Sequence, residues 1–234
     1  LAPIGQDNLS VDGNTSSNDD HKYNHPGAIQ VIGDYMVVPI QTQDYSSTVV
    51  QLYELDRLTY STPQFCTANA NYLRSASGTR FDGRFGAVGI AKVGAHFILA
   101  VADASTVSFY QSTTSNIVST NYELIFHAVV SGEPASLNLL CDTSGDLYMV
   151  AFTVSNDWAS YADYATLSRV DLPGHAIRQV SQRHFTSTSS TFAGPHFRWG
   201  AGTYFPTSSS LGMIATQRVM QTSCAFDIWN PPAA

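Results

Sequence analysis

A strand–turn–strand–loop–strand pattern that occurs four times along the chain is the feature that most restricts its fold. In the first copy, an apolar run at 27–32 is followed by a Gly33-Asp34 turn, a second run at 35–40 and a third at 48–55. The other copies occupy 86–113, 136–172 and 197–230. The turns recur every 50 to 65 residues or so, roughly the period of β-propeller blades, each of which needs neighbours to bury its second face.

We therefore predict an all-β protein, a β-propeller of four or five antiparallel blades that forms one domain over residues 1–234. No window carries the apolar period of a helix, and Pro and Gly lie at strand ends rather than in a linker. Outer fourth strands are expected at 59–67, 122–130 and 177–185. Because the last copy stops after its third strand, a strand within residues 1–12 is expected to complete that blade and close the ring.

The first copy resembles the blades of LVIVD-type and related secreted propeller repeat proteins. The matching residues are Gly33-Asp34-Tyr35 at the turn, Val37-Val38-Pro39 in the second strand and Leu52-Tyr53-Glu54-Leu55 at the end of the third. The resemblance implies a propeller fold and implies no activity.

The charge content of the chain favours an extracellular location. Charged residues make up 12% of the chain, so neutral polar side chains must form much of the surface, as in many secreted all-β proteins. The net charge of -7 opposes binding to nucleic acid and to anionic membranes, and no apolar run is long enough to span a bilayer. The chain starts at Leu1, as expected of a processed or trimmed protein. We expect a secreted protein without a nucleic-acid partner and without membrane insertion.

The three cysteines, Cys66, Cys141 and Cys224, lack the spacing of a metal site. Cys141 and Cys224 lie within apolar strand patterns and are predicted to be buried, unreactive thiols. Whether any two of the three form a disulfide stays open.

Propeller geometry predicts one composite ligand site. The loop that leads into an inner strand and the loop between the second and third strands emerge on the same face of a blade. The side chains expected there are His25, Asp82, Arg84, Trp158, Tyr161, His196 and Arg198. The loop at 156–164 combines aromatic residues with Asp and Asn, as a sugar-binding platform does, although these aromatics would equally suit a lid over the blade.

A metal site is a second candidate, at Asp19, Asp20 and His21. Two carboxylates beside an imidazole suit a metal ion, and the alternative is a solvated loop whose side chains bond their own backbone. The Asp- and Asn-rich segment 7–20 suits Ca²⁺ but does not match EF-hand spacing. We predict no required cofactor, and Ca²⁺ is the ion that this segment would suit.

These features favour a non-enzymatic binding module that recognises a glycan or a protein partner through one loop-built face. One alternative is a hydrolase acting on a glycan, with Asp103, Glu133 and Asp157 as its spaced carboxylates. Another is a structural repeat module of a larger extracellular protein. The chain has no nucleophile-elbow, phosphate-loop or HExxH motif, and it leaves the ligand and the oligomeric state open.

Overall fold

The computed structural model describes residues 23–42, 44, 48–54, 71–72, 74–75, 86–117, 121–154, 162–186, 195–207, 210–217 and 226–229. This part of the chain contains strands β1 to β17 and no helix. The strands form four sheets, which are arranged as the blades of a propeller. The chain is a four-bladed β-propeller.

The first two blades each have five strands. Blade 1 consists of β1 (Tyr23–Pro26), β2 (Gln30–Ile32), β3 (Tyr35–Thr42), β4 (Thr48–Glu54) and β5 (Asn71–Tyr72). Blade 2 consists of β6 (Arg74–Ser75), β7 (Ala87–Val93), β8 (His96–Asp103), β9 (Thr106–Ser112) and β10 (Asn121–Val129). In blade 2, β7 to β10 follow one another across the sheet and β6 pairs in parallel with β10 at its outer edge.

The last two blades are simple antiparallel meanders. Blade 3 consists of β11 (Pro134–Cys141), β12 (Leu147–Val154), β13 (Asp163–Asp171) and β14 (Ala176–Phe185). Blade 4 consists of β15 (His196–Thr207), β16 (Ser210–Thr216) and β17 (Phe226–Trp229). The outer strands predicted at 122–130 and 177–185 are therefore confirmed as β10 and β14. The strand predicted at 59–67 and the closing strand predicted within 1–12 lie outside the described residues.

The predicted hairpin turns depend on glycine. Gly33, Gly94 and Gly145 have φ angles of 55°, 59° and 86° at the first turns of blades 1, 2 and 3. Residues with a Cβ rarely adopt this left-handed region, so glycine recurs at the corresponding place in the first three repeats.

The first strand of blade 1 is divided, where the apolar run at 27–32 predicted one strand. β1 and β2 both pair with β3, and residues 27–29 separate them. Gly27 lies against the carbonyl oxygen of Gly86 with no room for a Cβ, and Ala28 forms a parallel bridge with Ala87 of blade 2. The chain leaves the regular strand because it contacts the neighbouring blade there.

Three apolar clusters join consecutive blades. Blades 1 and 2 share a cluster that includes Val37, Val50, Leu52, Val88, Leu99 and Tyr122. Blades 2 and 3 share one that includes Ile98, Phe109, Phe126, Leu137, Leu139 and Met149. Blades 3 and 4 share one that includes Val150, Phe152, Ala165, Phe197 and Ala215. Within the described residues, each pair of consecutive blades from 1 to 4 thus buries apolar surface between its sheets, as the repeat pattern requires.

The inner strands of all four blades run in the same direction. The bridge between Ala28 and Ala87 is parallel, which aligns blade 1 with blade 2. Between blades 2 and 3, Gln30 accepts hydrogen bonds from the backbone N–H groups of Ile90 on β7 and Leu139 on β11. Two residues further along each of these strands, the Cys141 thiol contacts the carbonyl of Lys92. The inner strands β7 and β11 therefore run in the same direction.

The same order holds between blades 3 and 4. The Ser136 hydroxyl donates to the carbonyl of Ala201 at 2.7 Å, and Asn138 Oδ1 accepts from the N–H of Thr203 at 2.7 Å. The starts of all four inner strands therefore lie on one face of the disc, which we call the leading face. Their hairpin turns lie on the opposite face, the turn face.

Tyr122 carries the one buried side-chain oxygen or nitrogen that lacks a hydrogen-bond partner in the described part of the chain. Its ring is fully buried in the cluster between blades 1 and 2, and burial raises the pKa of its hydroxyl far above the usual value. A buried hydroxyl without a partner costs free energy.

We therefore expect Tyr122→Phe to raise the free energy of unfolding by about 1 kcal/mol in urea denaturation. Tyr110→Phe is the matched control, because that hydroxyl is hydrogen-bonded to Ser108 and its removal should destabilise the protein. A clear loss of stability in Tyr122→Phe would mean that its hydroxyl has a partner.

Candidate functional site

The leading face collects four of the residues that the sequence analysis selected. His25 lies in β1, Glu133 immediately precedes β11, and His196 begins β15. Asp103 is the last residue of β8. The residue before it, Ala102, pairs with Ala87 at the start of β7. Because the inner strands run in the same direction, these four residues lie at the same end of their blades.

Two acidic side chains of this face are open to solvent. Asp103 and Glu133 are exposed, and neither makes an ion pair or a side-chain hydrogen bond with the residues that the structure describes. They stand on different blades, Asp103 on blade 2 and Glu133 on blade 3. Each can accept hydrogen bonds from hydroxyl or amide groups of a ligand without first breaking a contact within the described chain.

His25 and Arg198 are also exposed, on blades 1 and 4. The guanidinium carbon of Arg198 lies 5.4 Å from the centre of the Trp199 ring. Simple alternation along β15 would turn these two side chains to opposite faces. The pairing of β15 with β16 is irregular here, since His196 pairs with Thr216 and Ala201 with Ala215, and this bulge breaks the alternation.

His196 is buried in the body of the blade. Its side chain is 3% exposed, and its Nδ1 lies 2.8 Å from Oδ2 of Asp163, which is itself fully buried. The second carboxylate oxygen, Oδ1, accepts a hydrogen bond of 3.1 Å from the N–H of Phe197. Asp163 begins β13, so this Asp–His pair ties the third strand of blade 3 to the inner strand of blade 4.

The electrostatics of the pair are dominated by the burial of its carboxyl group. Burial raises the pKa of Asp163 above its usual value, although the hydrogen bonds from His196 and Phe197 act in the opposite direction. When Asp163 is ionised, its Oδ2 accepts a hydrogen bond from the Nδ1–H of His196 and thereby fixes one tautomer of the imidazole. His196 was among the residues predicted for the composite site. Asp163, near the end of the loop at 156–164, was not predicted, because no local motif surrounds it.

The other selected residues lie outside the described part of the chain. They are Asp82, Arg84, Asp157, Trp158 and Tyr161 of the composite and hydrolase sites, together with Asp19, Asp20 and His21 of the metal site. Within the described ranges, no group of three His, Cys, Asp or Glu side chains is placed to hold a metal ion. In the same ranges no helix is long and apolar enough to cross a membrane.

Cys141 corrects one prediction. It is an exposed free thiol rather than a buried one, because it is the last residue of β11 and lies at the hairpin end of the blade. Its sulfur lies 3.3 Å from the carbonyl oxygen of Lys92. Partial burial and the nearby Asp142 carboxylate raise the pKa of the thiol, which makes it a poor nucleophile.

A cleft on the turn face was not anticipated from the sequence. It encloses about 520 Å³ between Val93 of blade 2 and the turns of blade 3. Leu147, Val170 and Ile177 form apolar parts of its wall, and the charged groups around it are Asp146, Arg169, Asp171 and Arg178. Arg169 forms an ion pair of 2.8 Å with Asp146. The available signal in the sequence was the close spacing of charged residues around Leu172-Pro173-Gly174.

No protein-family model matches the chain, and no curated protein matches it. The resemblance to LVIVD-type repeats is therefore borne out at the level of the four-bladed propeller and not at the level of a family. A propeller of this kind suggests a binding or repeat module in general terms.

Proposed function

We propose that the protein is a secreted binding module that recognises a glycan or an extracellular protein partner on its leading face. One observation carries the proposal. The common direction of the four inner strands gathers side chains from all four blades at this face, and Asp103 and Glu133 are exposed there without partners among the described residues. Carboxylates in this state are suited to the hydroxyls of a sugar or to the donors of a protein surface.

The differences between blades favour one composite site over several equal ones. His25, Asp103, Glu133 and Arg198 contribute an imidazole, two carboxylates and a guanidinium from blades 1, 2, 3 and 4. A lectin with one sugar site per blade would repeat the same residues at corresponding positions. Secretion is proposed on the low content of charged residues, 12% of the chain.

The hydrolase alternative has less support. It needs an acid and a base on either side of one glycosidic bond, and Asp157, one of its three carboxylates, lies outside the described residues. No observation in the described part of the chain favours it over binding.

The proposal predicts that Asp103→Asn combined with Glu133→Gln weakens ligand binding about tenfold or more, because charge-assisted hydrogen bonds become neutral ones. A glycan microarray and a panel of immobilised extracellular proteins would identify the ligand, and surface plasmon resonance would give the affinities. The matched control is Asp34→Asn with Glu123→Gln, which removes the same charge from exposed positions at the hairpin turn of blade 1 and on β10. Equal affinities for both double variants would refute the role of the two carboxylates, and release of sugar from a bound glycan would favour the hydrolase.

A further inference from the structure

The outer edge of blade 3 is a long, exposed strand. β14 has 10 residues and pairs, within the part of the chain that the structure describes, with β13 alone. All residues from 178 to 184 are exposed, including Val180 at 57%. The open edge of a sheet presents backbone N–H and C=O groups that can pair with an added strand.

Blade 2 shows that this architecture accepts a further strand at the same place. β10 is the fourth strand of its meander, as β14 is in blade 3. Outside β10 the chain adds β6 in parallel, with Arg74 paired to Asn121 and Ser75 to Tyr122. Blade 3 has the corresponding edge, and no described segment covers it.

The edge of blade 3 is held in place before any partner binds. The turn before β14 is closed by hydrogen bonds from the N–H of Gly174 to Asp171 and from the N–H of His175 to the carbonyl of Leu172. The His175 ring stacks on Phe126 of blade 2, with 5.6 Å between ring centres, and Phe126 stacks on Phe109 at 4.7 Å. A partner strand would therefore meet an ordered edge and lose less entropy on binding.

The charges on this edge are of one sign. β14 carries Arg178, Arg183 and His184 and no acidic residue, although the chain as a whole has a net charge of -7. Arg178 is opposite Arg169 of β13, and Arg183 is opposite Ala165 of β13. Because residues 165 and 169 are four positions apart, they lie on one face of the sheet, and so do Arg178 and Arg183. A bulge at Val180 makes this possible, since five regular positions would place the two arginines on opposite faces.

A second copy of this chain does not suit the edge. Antiparallel pairing of two β14 strands about their midpoint would set Arg178 of each copy opposite Arg183 of the other. Like charges directly opposite one another destabilise a strand pair. The same two arginines would attract carboxylates on an incoming strand.

We propose that β14 docks an extended acidic segment of a partner protein, which adds to blade 3 as an outer strand and places Glu or Asp side chains beside Arg178 and Arg183. This site is on the rim of the disc and is independent of the ligand proposed for the leading face. Backbone pairing would supply affinity, and the two guanidinium groups would select acidic sequences.

The first test uses a fluorescein-labelled decapeptide of alternating Thr and Glu and its counterpart with Lys in place of Glu. In fluorescence polarisation at low ionic strength, the Glu peptide should bind the full chain and the Lys peptide should not. Arg178→Glu and Arg183→Glu should each weaken binding of the Glu peptide about tenfold. Lys92→Glu makes the same charge change at an exposed position on β7 and should leave the affinity unchanged.

The second test separates strand addition from simple attraction between charges. Two Glu peptides are N-methylated at alternate residues, one at the odd and one at the even positions. In an added strand only alternate N–H groups face the sheet, so one methylated peptide should lose binding and the other should keep it. Equal binding of both methylated peptides, equal binding of Glu and Lys peptides, or no binding of the Glu peptide would each overturn the proposal.

Discussion

Asp163→Ala should lower the free energy of unfolding by about 3 to 5 kcal/mol, the usual cost of removing one partner from a buried pair. The carboxylate receives hydrogen bonds from His196 at 2.8 Å and from the N–H of Phe197 at 3.1 Å, and both Asp163 and His196 are buried. Alanine would leave these two donors without an acceptor and open a void between blades 3 and 4. Urea denaturation followed by circular dichroism would measure the change.

Two further variants make this expectation specific to the hydrogen bonds. Asp163→Asn retains one oxygen acceptor of the same size and should lose less stability than Asp163→Ala. Asp103→Ala removes an exposed carboxylate at the same end of blade 2 and should change the free energy of unfolding by less than about 0.5 kcal/mol. Similar losses in Asp163→Ala and Asp103→Ala would show that the buried pair contributes nothing beyond an exposed carboxylate.

The stability of the Asp163 pair should also depend on pH in a defined direction. Because the pKa of Asp163 is raised in the folded protein, the folded state binds a proton more tightly than the unfolded state does. Protonation of Asp163 therefore stabilises the folded state to its full extent at pH values below the ordinary aspartate pKa of about 3.9. This stabilisation is lost as the pH rises through the raised pKa of the folded protein. The wild type should therefore gain stability relative to Asp163→Asn as the pH is lowered from 7 toward 4, and a constant difference would argue against the raised pKa.

The fold could be predicted because each blade repeats a local pattern. The glycines at positions 33, 94 and 145 mark the hairpin turns, and the apolar runs between them give β3, β7, β8, β11 and β12. Turn residues and strand periodicity depend on a few neighbouring residues, so they can be recognised from the sequence without the tertiary structure. The divided start of blade 1 was not predictable in this way, since it depends on Gly86 and Ala87 of the next blade.

The candidate site was less accessible to sequence analysis. Topology placed His25, Asp103, Glu133 and His196 at one end of their blades, but it could not distinguish exposed Glu133 from buried His196. Asp163 lies 33 positions before His196, and nothing in the local sequence links them. The orientation of Arg198 was obscured by the bulge in β15, which Gly200 and Gly202 could have indicated because glycine within a strand often marks a bulge.

The polar residues that join the inner strands were likewise hidden within apolar runs. Asn138 lies between Leu137 and Leu139, yet its Oδ1 accepts hydrogen bonds from both the backbone N–H and the hydroxyl of Thr203. Gln30 lies in β2 next to Val31 and binds two other blades. An amide side chain in an inner strand therefore indicates contact between blades. Backbone N–H and C=O groups of an inner strand that are not paired within their own sheet need hydrogen-bond partners, and such an amide can supply them.

Gln30→Leu should be the second strongly destabilising change, with a loss of about 3 to 5 kcal/mol in the free energy of unfolding. Gln30 Oε1 accepts hydrogen bonds of 2.9 Å from the N–H groups of Ile90 and Leu139, and its Nε2 donates one of 2.8 Å to the carbonyl of Leu139. Leucine has a similar volume but cannot replace any of the three bonds. Blade 1 would lose its direct link to the inner strands of blades 2 and 3.

Gln30→Glu distinguishes the two halves of this amide. The carboxylate can still accept from both N–H groups, but it cannot donate to the carbonyl of Leu139 and repels it. Its stability should therefore lie between those of the wild type and Gln30→Leu and should improve when the carboxylate is protonated at low pH. Gln179→Leu, at an exposed position on β14, is the control for replacing an amide by an apolar group. If Gln30→Leu were as stable as Gln179→Leu, the three hydrogen bonds at the axis would not hold the blades together, and the apolar clusters between blades would have to do so alone.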